Sequence, residues 1–335
     1  MTDEARRGPT MHDVARLAGV SHVTVSRVLN DYPSIRPGTR ERVLAAIREL
    51  GYRRNLAART LVTSRSRAIG VLAPAVPQHG PASSVLAVES AARAHGYHPL
   101  VTAAAVDRDA TVASLNFLLD QAVEALVVIA PHESVLAAIH ELELTVPFVT
   151  LQAPEQESGV GVDQVAGAAL ATGHLIGLGH RRIQHVSGPR SYLEAAARRR
   201  GFEQSMTAAG LEPGRVVEGD WTAEFGYRAV ALLDPATTAV VAANDQMAIG
   251  VIAALLDAGR SVPGEVSVVG FDDVPEAEFV RPSLTTVHQD FDEVGRRAIE
   301  VLVAALTGAE PPARQPIEPW LVVRASTARV AADLR

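Results

Sequence analysis

The sequence predicts an α/β protein with a small helical head at its N-terminus and a larger core of two doubly wound parallel sheets. Two short helical stretches separated by a glycine lie within residues 10–30. Residues 1–67 are strongly basic, and from Ala68 onward short apolar runs alternate with helical stretches. Because a repeated strand–helix pattern gives parallel sheets covered by helices, we expect a helix-turn-helix head followed by two α/β subdomains with a cleft between them.

The segment TMHDVARLAGVSHVTVSRVLN (10–30) predicts the helix-turn-helix. Thr10 is placed to cap the first helix, Gly19 to end it and Ser21 to cap the second. The residues expected to face inward are Val14, Ala15, Leu17, Ala18, Val25, Val28 and Leu29. Those expected to face outward from the second helix are His22, Val23, Ser26 and Arg27. Any αα-hairpin shows such a pattern, but the basic charge beside it favours insertion of the outward face into a DNA major groove.

A third helix, from about Thr39 to Leu50 and ended by Gly51, is predicted to close the head. Its apolar residues repeat with helical spacing at Val43, Leu44, Ile47 and Leu50. Residues 55–62 (NLAARTLV) are long enough for two helical turns, which are marginally stable in water unless something packs against them. Residues 63–67 have the composition of a polar linker.

Charge is divided unequally along the 335-residue chain, whose formal net charge is −7. Residues 1–67 contain 13 arginines and 6 acidic residues, a net of +7. The remaining residues contain 18 arginines and 32 acidic residues, a net of −14. A basic head on an acidic body indicates a DNA-binding domain joined to a separate domain.

Composition argues against most catalytic chemistry. All 31 basic residues are arginine, which excludes lysine nucleophiles and P-loop lysines, and the absence of cysteine excludes thiolates and disulfides. The 11 histidines lack metal-ligand spacing, there is no GxSxG motif, and GVGVDQVAG (159–167) lacks the third glycine of a dinucleotide loop. Asp272 and Asp273 are neighbours on a predicted strand and should point in opposite directions. We expect no enzymatic activity, no metal and no cofactor.

No apolar run approaches the roughly 20 residues that a membrane-spanning helix needs. The segment MTDEARRGPT at the start of the sequence lacks the apolar stretch of a signal peptide. We therefore expect a cytoplasmic protein without a membrane partner.

Two series of apolar runs are predicted to be the strands of the core. The first series is AIGVLA (68–73), YHPLVTAA (97–104), ALVVIA (125–130) and PFVTL (147–151). The second series is RIQHVSG (182–188), VVEGD (216–220), AVVAA (239–243) and VSVVGF (266–271). Ligands of such folds bind beyond the carboxyl ends of the strands, so we expect functional side chains there.

The chain resembles the LacI/GalR family of bacterial transcription repressors from about residue 10 to 327. The motifs that carry the resemblance are residues 10–30, GYRRNLAARTL (51–61), HLIGLGHRRIQHVSGP (174–189), AANDQMAIG (242–250) and VSVVGFDD (266–273). Within the family the lactose-repressor type is most similar, through GDW (219–221), NDQMAIG (244–250) and LTTVHQDF (284–291). The resemblance implies a periplasmic-binding-protein-like core behind the head and a hinge helix. The implied ranges are 1–54 for the head, 55–67 for hinge and linker, 68–163 and 290–322 for the core N-subdomain, and 164–289 and 323–330 for the C-subdomain.

The resemblance further implies a homodimer that binds a pseudo-palindromic operator. It places His22, Val23 and Arg27 at base-reading positions, where Arg27 suits a bidentate contact with guanine. It assigns Ser21, Thr24, Ser26 and Asn30 to backbone phosphates, although Thr24 and Ser26 equally suit simple surface polarity. In the hinge it places Ala58 against the minor groove and Leu61 in it as a wedge. Arg54 stands where the lactose-repressor type has proline.

For the cleft, the resemblance implies a sugar site made of Arg198, Trp221, Asn244, Asp272, Phe291 and Gln152. The planar fork of Arg198 suits two adjacent hydroxyls, and aromatic rings stack on the apolar face of a sugar. Core packing is the alternative role for Trp221 and Phe291. Gln152 and Ile129 replace an Asp and an Asn of the lactose-repressor type, so the sugar need not be a galactoside.

The resemblance implies repression that ends when the sugar stabilises an orientation of the subdomains that misaligns the hinge helices. The segment ARVAADLR (328–335) has no leucine heptads, so a dimer is expected rather than a coiled-coil tetramer. Two other functions fit the cleft: a family member that binds DNA better with its ligand, and a sugar-binding protein of transport, which the basic head disfavours.

Overall fold

A computed structural model describes residues 8–53, 65–129, 132–152, 159–313 and 315–330. The chain divides into two compact units, Met1–Ser66 and Arg67–Arg335, which we call the head and the core.

Within residues 8–53 the head contains three helices, α1 (Met11–Ala18), α2 (His22–Leu29) and α3 (Pro37–Leu50). Thr10 and Asp13 form a complete capping box at the start of α1, and Gly19 ends this helix in the left-handed conformation at φ 62°. The α3 helix begins two residues earlier than predicted, because Pro37 fits a first helical turn, where its missing N–H has no partner to lose. The predicted helix-turn-helix is therefore confirmed.

Two predicted core positions of the head are wrong. Leu17 is 46% exposed and Leu44 is 38% exposed. In both helices smaller residues occupy the centre of the buried face, so each leucine falls to its side. The buried residues of the head are Val14, Ala15, Ala18, Val25, Val28, Val43 and Ala46.

The first sheet of the core has five parallel strands in the order β2-β1-β3-β4-β5. These strands are β1 (Ala68–Pro74), β2 (His98–Ala104), β3 (Ala125–Ile129), β4 (Phe148–Leu151) and β5 (Gly159–Val160). The helices between them are α4 (His79–Ala94), α5 (Arg108–Asp120) and α6 (Glu133–Glu141). Every residue of β3 is buried, as expected for a parallel strand covered on both faces.

The second sheet has six strands in the order β11-β10-β9-β8-β6-β7. They are β6 (Ile183–Ser187), β7 (Val216–Glu218), β8 (Ala239–Ala242), β9 (Ser267–Asp272), β10 (Thr285–His288) and β11 (Trp320–Val322). Its helices are α7 (Gln164–Gly177), α8 (Leu193–Ala208), α9 (Ala223–Ala229) and α10 (Asp245–Asp257), with 3-10 turns at Val230–Leu232 and Pro275–Glu278. All pairs are parallel except β10 with β11, so the sheet has one antiparallel edge that the sequence did not predict.

The eight predicted strands are all present, and three further strands were missed. The β5 strand has only two residues, β10 (TTVH) is rich in polar threonine although largely buried, and β11 is a short, partly exposed edge strand. The β5 and β10 strands lack the apolar run on which the prediction rested, and β11 (Trp320–Val322) is apolar but only three residues long.

The chain passes between the two sheets more than once. After β10 it returns to the first sheet as α11 (Phe291–Thr307), which packs on α4. Ile317 bridges to Val162 beside the first sheet, and β11 then pairs with β10 of the second. The predicted N-subdomain range 290–322 therefore errs at β11, whose hydrogen bonds place it in the second sheet. The other subdomain boundaries remain predictions.

None of the helices within the described ranges combines the length and the apolar character that crossing a bilayer requires.

Candidate functional site

The three α2 residues predicted to read bases lie on the exposed face of the helix. His22, Val23 and Arg27 are exposed, and Val23 is 46% accessible although it is apolar. The Arg27 guanidinium carbon lies 5.5 Å from the centre of the Tyr32 ring, a cation–π contact that the sequence did not suggest. The assignment of these three residues to base reading remains a prediction.

The four predicted phosphate-binding residues all make local hydrogen bonds. Ser21 Oγ accepts from the Thr24 backbone N–H at 3.2 Å, and the two side-chain hydroxyls lie 2.9 Å apart. Asn30 Nδ2 donates to the Ser26 backbone carbonyl at 2.9 Å. These bonds cap or extend α2, so polar side chains have a structural reason at these positions, and the phosphate contacts remain predictions. Ala58, Leu61 and Arg54 lie outside the described residues.

The core contains a cavity whose walls come from the subdomains of both sheets. On the side of the first sheet it is lined by Val76, Gln78, Gly80 and Pro81. On the side of the second sheet it is lined by Tyr192, Glu194, Arg198, Trp221, Asn244 and Asp272. Asp272 is the last residue of β9 and Asn244 caps the helix that follows β8, so strand ends form the floor as expected.

Arg198 is the most connected side chain of this cavity and is 3% exposed. Its Nε donates to Gln164 Oε1 at 2.8 Å, and its Nη1 donates to the Ala243 carbonyl. Its Nη2 lies 3.6 Å from Asp272 Oδ1, and its guanidinium carbon lies 3.9 Å from the centre of the Phe271 ring. The guanidinium is therefore held in one plane before any ligand contact.

Asp272 and Asp273 bind different partners, in agreement with the prediction that they do not share a site. Asp272 Oδ1 accepts from Gln289 Nε2 at 2.7 Å, and burial raises the pKa of this carboxyl while Arg198 opposes the rise. Asp273 is paired with His288 at 2.9 Å and with Arg324 at 2.7 Å. Both aspartates have positive φ, 110° and 58°, which is unusual for residues with a side chain.

Trp221 and Asn244 are joined by a hydrogen bond from Asn244 Nδ2 to the Trp221 carbonyl at 3.0 Å. The indole contacts Tyr192 edge-on with ring centres 5.8 Å apart and packs where Gly188 has no Cβ. Trp221 belongs to a buried apolar cluster and also lines the cavity. Trp221 therefore packs in the core and forms part of the cavity wall at the same time.

Gln152 and Phe291 lie behind Gly80 rather than in the cavity wall. A Cβ at Gly80 would be 3.2 Å from Gln152 Nε2 and 3.6 Å from Phe291 Cζ. Gln152 is 5% exposed with φ 64°, and neither atom of its amide has a hydrogen-bond partner among the described residues. Since a buried amide without partners costs free energy, this position is suited to a polar group that reaches it past Gly80. Of the six predicted residues, four line the cavity and these two adjoin it.

The sequence prediction missed three polar residues of the cavity wall, Gln78, Tyr192 and Glu194. Glu194 stands one helical turn before Arg198, a spacing that could have indicated it. Burial raises the pKa of Glu194 to about 7, with Asp272 adding to the rise and Arg198 opposing it. Within the described ranges, no group of three or more His, Cys, Asp or Glu side chains is arranged to hold a metal ion.

A helix-turn-helix head and a two-subdomain core with a polar cavity at the strand ends define a DNA-binding regulator that responds to a ligand. Residues 10–55 match the bacterial regulatory proteins of the lacI family, and residues 172–327 match a periplasmic binding protein-like domain. The chain belongs to the LacI family of bacterial transcription regulators.

Individual relatives extend over nearly the whole chain. The HTH-type transcriptional regulator CelR of Thermobifida fusca is 37% identical, covering 96% of this chain and 99% of the relative. The lactose operon repressor of Escherichia coli K12 is 34% identical, covering 95% and 90%. Among solved structures, a lac repressor dimer bound to operator and the anti-inducer ONPF superposes with a TM-score of 0.86 at 32% identity, covering 96% and 100%. A CelR–cellobiose complex superposes with a TM-score of 0.72 at 33% identity, covering 95% and 99%.

Proposed function

We propose that this protein represses carbohydrate-utilisation genes and leaves its operator when a sugar occupies the core cavity. The observation that carries the proposal is the two-sided construction of the cavity. Fixed charged groups, Arg198 and Asp272, lie at the strand ends of the second sheet, and the partnerless amide of Gln152 lies across from them behind Gly80. A polyhydroxylated ligand would form hydrogen bonds with the groups on both sides of the cavity. Its apolar face would lie on Trp221.

The relatives support this class of ligand and partner. One solved relative is a CelR–cellobiose complex, and another is a lac repressor dimer on its operator. By this similarity we propose a homodimer on a near-palindromic operator, with base contacts from α2 and a leucine wedge at Leu61. We further propose that the protein is cytoplasmic and has no enzymatic activity.

The mechanism is a shift between two orientations of the subdomains. A ligand that contacts both walls favours one orientation by its differential binding free energy, and DNA favours the other. Because coupling is reciprocal, sugar should weaken DNA binding by the same factor by which DNA weakens sugar binding. A coupling of 1–3 kcal/mol, about 5- to 150-fold, is typical of such systems.

The test combines two titrations of the purified full-length protein. Calorimetry with cellobiose, lactose and, for contrast, a purine base identifies the ligand class. Fluorescence anisotropy with labelled DNA from the promoter adjacent to the gene then measures DNA affinity with and without the ligand. We expect a sugar to bind and to lower the DNA affinity. Tighter DNA binding in its presence would indicate a corepressor, and binding of the purine alone would reject the carbohydrate.

A further inference from the structure

Glu194 is a buried acidic side chain in the cavity wall that forms no hydrogen bond through its carboxylate with the described residues. It lies in the first turn of α8, is 8% exposed and lines the cavity beside Tyr192 and Trp221. Charged side chains so deeply buried are ordinarily paired and hydrogen-bonded. A carboxylate at this position is therefore expected to have a binding partner.

The carboxylate of Glu194 has one weak ionic contact. Its Oε2 lies 3.9 Å from Arg198 Nη2, beyond hydrogen-bond distance, and it has no hydrogen bond to any described residue. Arg198 cannot compensate it fully, because the other two guanidinium nitrogens donate to Gln164 and to the Ala243 carbonyl. The same Nη2 also faces Asp272 at 3.6 Å, which is closer. Two carboxylates thus lie near the same guanidinium nitrogen.

We propose that Glu194 is a ligand-binding residue that determines specificity, and that its carboxylate accepts a hydrogen bond from a hydroxyl group of the sugar. The proposal rests on the carbohydrate ligand proposed above and adds a named acceptor to it. A hydroxyl that donates to the carboxylate supplies the partner that the protein does not, and charge-assisted hydrogen bonds of this kind are the stronger ones.

This hydrogen bond makes the affinity for the sugar depend on pH. The ionisable groups around Glu194 are Arg198 on its own helix, Tyr192 just before that helix and Asp272 on β9; His79 on α4 faces Asp272 from the first sheet. In the unliganded cavity burial raises the pKa of Glu194 to about 7, so the side chain is protonated in part at neutral pH. A hydroxyl that donates to the ionised form requires release of that proton.

The experiment measures sugar affinity by calorimetry at pH 6, 7 and 8 for the wild type, Glu194→Gln and Glu194→Asp. The probe is whichever of cellobiose and lactose binds the wild type more tightly. We expect wild-type affinity to rise about tenfold from pH 6 to pH 8, as the ionised fraction rises. Glu194→Gln should bind at least tenfold more weakly at pH 8 and show no such rise, whereas Glu194→Asp should keep the rise.

Glu203→Gln is the matched control, because Glu203 is on the same helix and pairs with Arg199 away from the cavity. It should reproduce the wild-type affinities, and thermal unfolding should show that all variants are folded. Titrations at pH 6 in buffers of different ionisation enthalpy should reveal nearly one proton released per sugar bound. Equal affinity and equal pH dependence in Glu194→Gln and wild type would overturn the role of Glu194 and leave the carbohydrate proposal standing. Failure of both sugars to bind the wild type would overturn both.

Discussion

Gln164 Nε2 donates to Gln289 Oε1 at 2.7 Å, and this bond closes a ring of buried polar side chains under the cavity. Gln164 accepts from Arg198, Gln289 donates to Asp272, and Arg198 faces Asp272. Gln164 opens α7, just after the chain leaves the first sheet, and Gln289 lies two residues before α11, which returns to it. The ring therefore joins the charged floor of the cavity to two of the segments that connect the subdomains.

Breaking the ring should weaken sugar binding and leave the DNA affinity without sugar unchanged. In Gln164→Leu, Arg198 Nε and Gln289 Oε1 lose their partners while buried, which should cost about 1–3 kcal/mol of unfolding free energy. We expect weaker sugar binding and unchanged DNA affinity without sugar. Urea unfolding and the two titrations measure these quantities. Gln204→Leu, on the exposed side of α8, is the control and should change none of them.

Arg198→Gln should abolish the sugar response and keep DNA binding. The substitution removes the planar cation that Asp272, Phe271 and the ligand share. Since neighbouring Arg199 only pairs with Glu203 on the helix surface, Arg199→Gln is a matched control and should respond normally. Anisotropy with and without sugar is the measurement. Normal sugar affinity in Arg198→Gln would remove this residue from the binding site.

Thr10→Ala should loosen the helix-turn-helix. Thr10 Oγ1 accepts from the Asp13 backbone N–H, and Asp13 Oδ2 accepts from the Thr10 backbone N–H at 3.0 Å. Loss of such a cap costs about 0.5–2 kcal/mol. Hydrogen exchange of the peptide covering residues 8–30 in the full-length protein should accelerate accordingly. Unchanged exchange would show that the cap contributes nothing to the stability of the head.

Leu61→Ala should weaken specific DNA binding much more than non-specific binding. The reason is the proposed wedge, since kinking the central base step is repaid only on a sequence that deforms readily. Competition between operator DNA and random DNA in the anisotropy assay measures the ratio. Equal loss on both DNAs would argue against the wedge.

Glu194→Gln should stabilise the core at pH 8. The folded-state pKa of Glu194, about 7, lies above its ordinary value of 4.5, so ionisation opposes folding as pH rises from 4.5 to 7. Below this window the carboxyl is neutral in both states and the penalty is absent. Removing the charge should raise the unfolding free energy at pH 8 by about 3 kcal/mol, with little effect near pH 4.5. Thermal unfolding of this variant against Glu203→Gln at both pH values checks the sign.

Local chemistry along the chain specifies several elements that can be predicted before folding is considered. The caps at Thr10 and Ser21, the left-handed turn at Gly19 and the long apolar strands follow from interactions within a few residues. Arg198, Trp221, Asn244 and Asp272, which lie in the motifs of the family resemblance, all line the cavity, and their role in sugar binding remains a prediction.

Other features depend on residues that are distant in the sequence and come together in the folded chain. The β10 strand forms by pairing with β9 on one side and with β11 on the other, although its own residues show no apolar run. Leu17 and Leu44 are exposed because smaller residues of the same helices occupy the core of the head. The raised pKa of Glu194 comes chiefly from burial, with a contribution from Asp272, which is 78 positions away in the numbering. Burial and long-range electrostatics arise from the packed chain, and no local pattern encodes them.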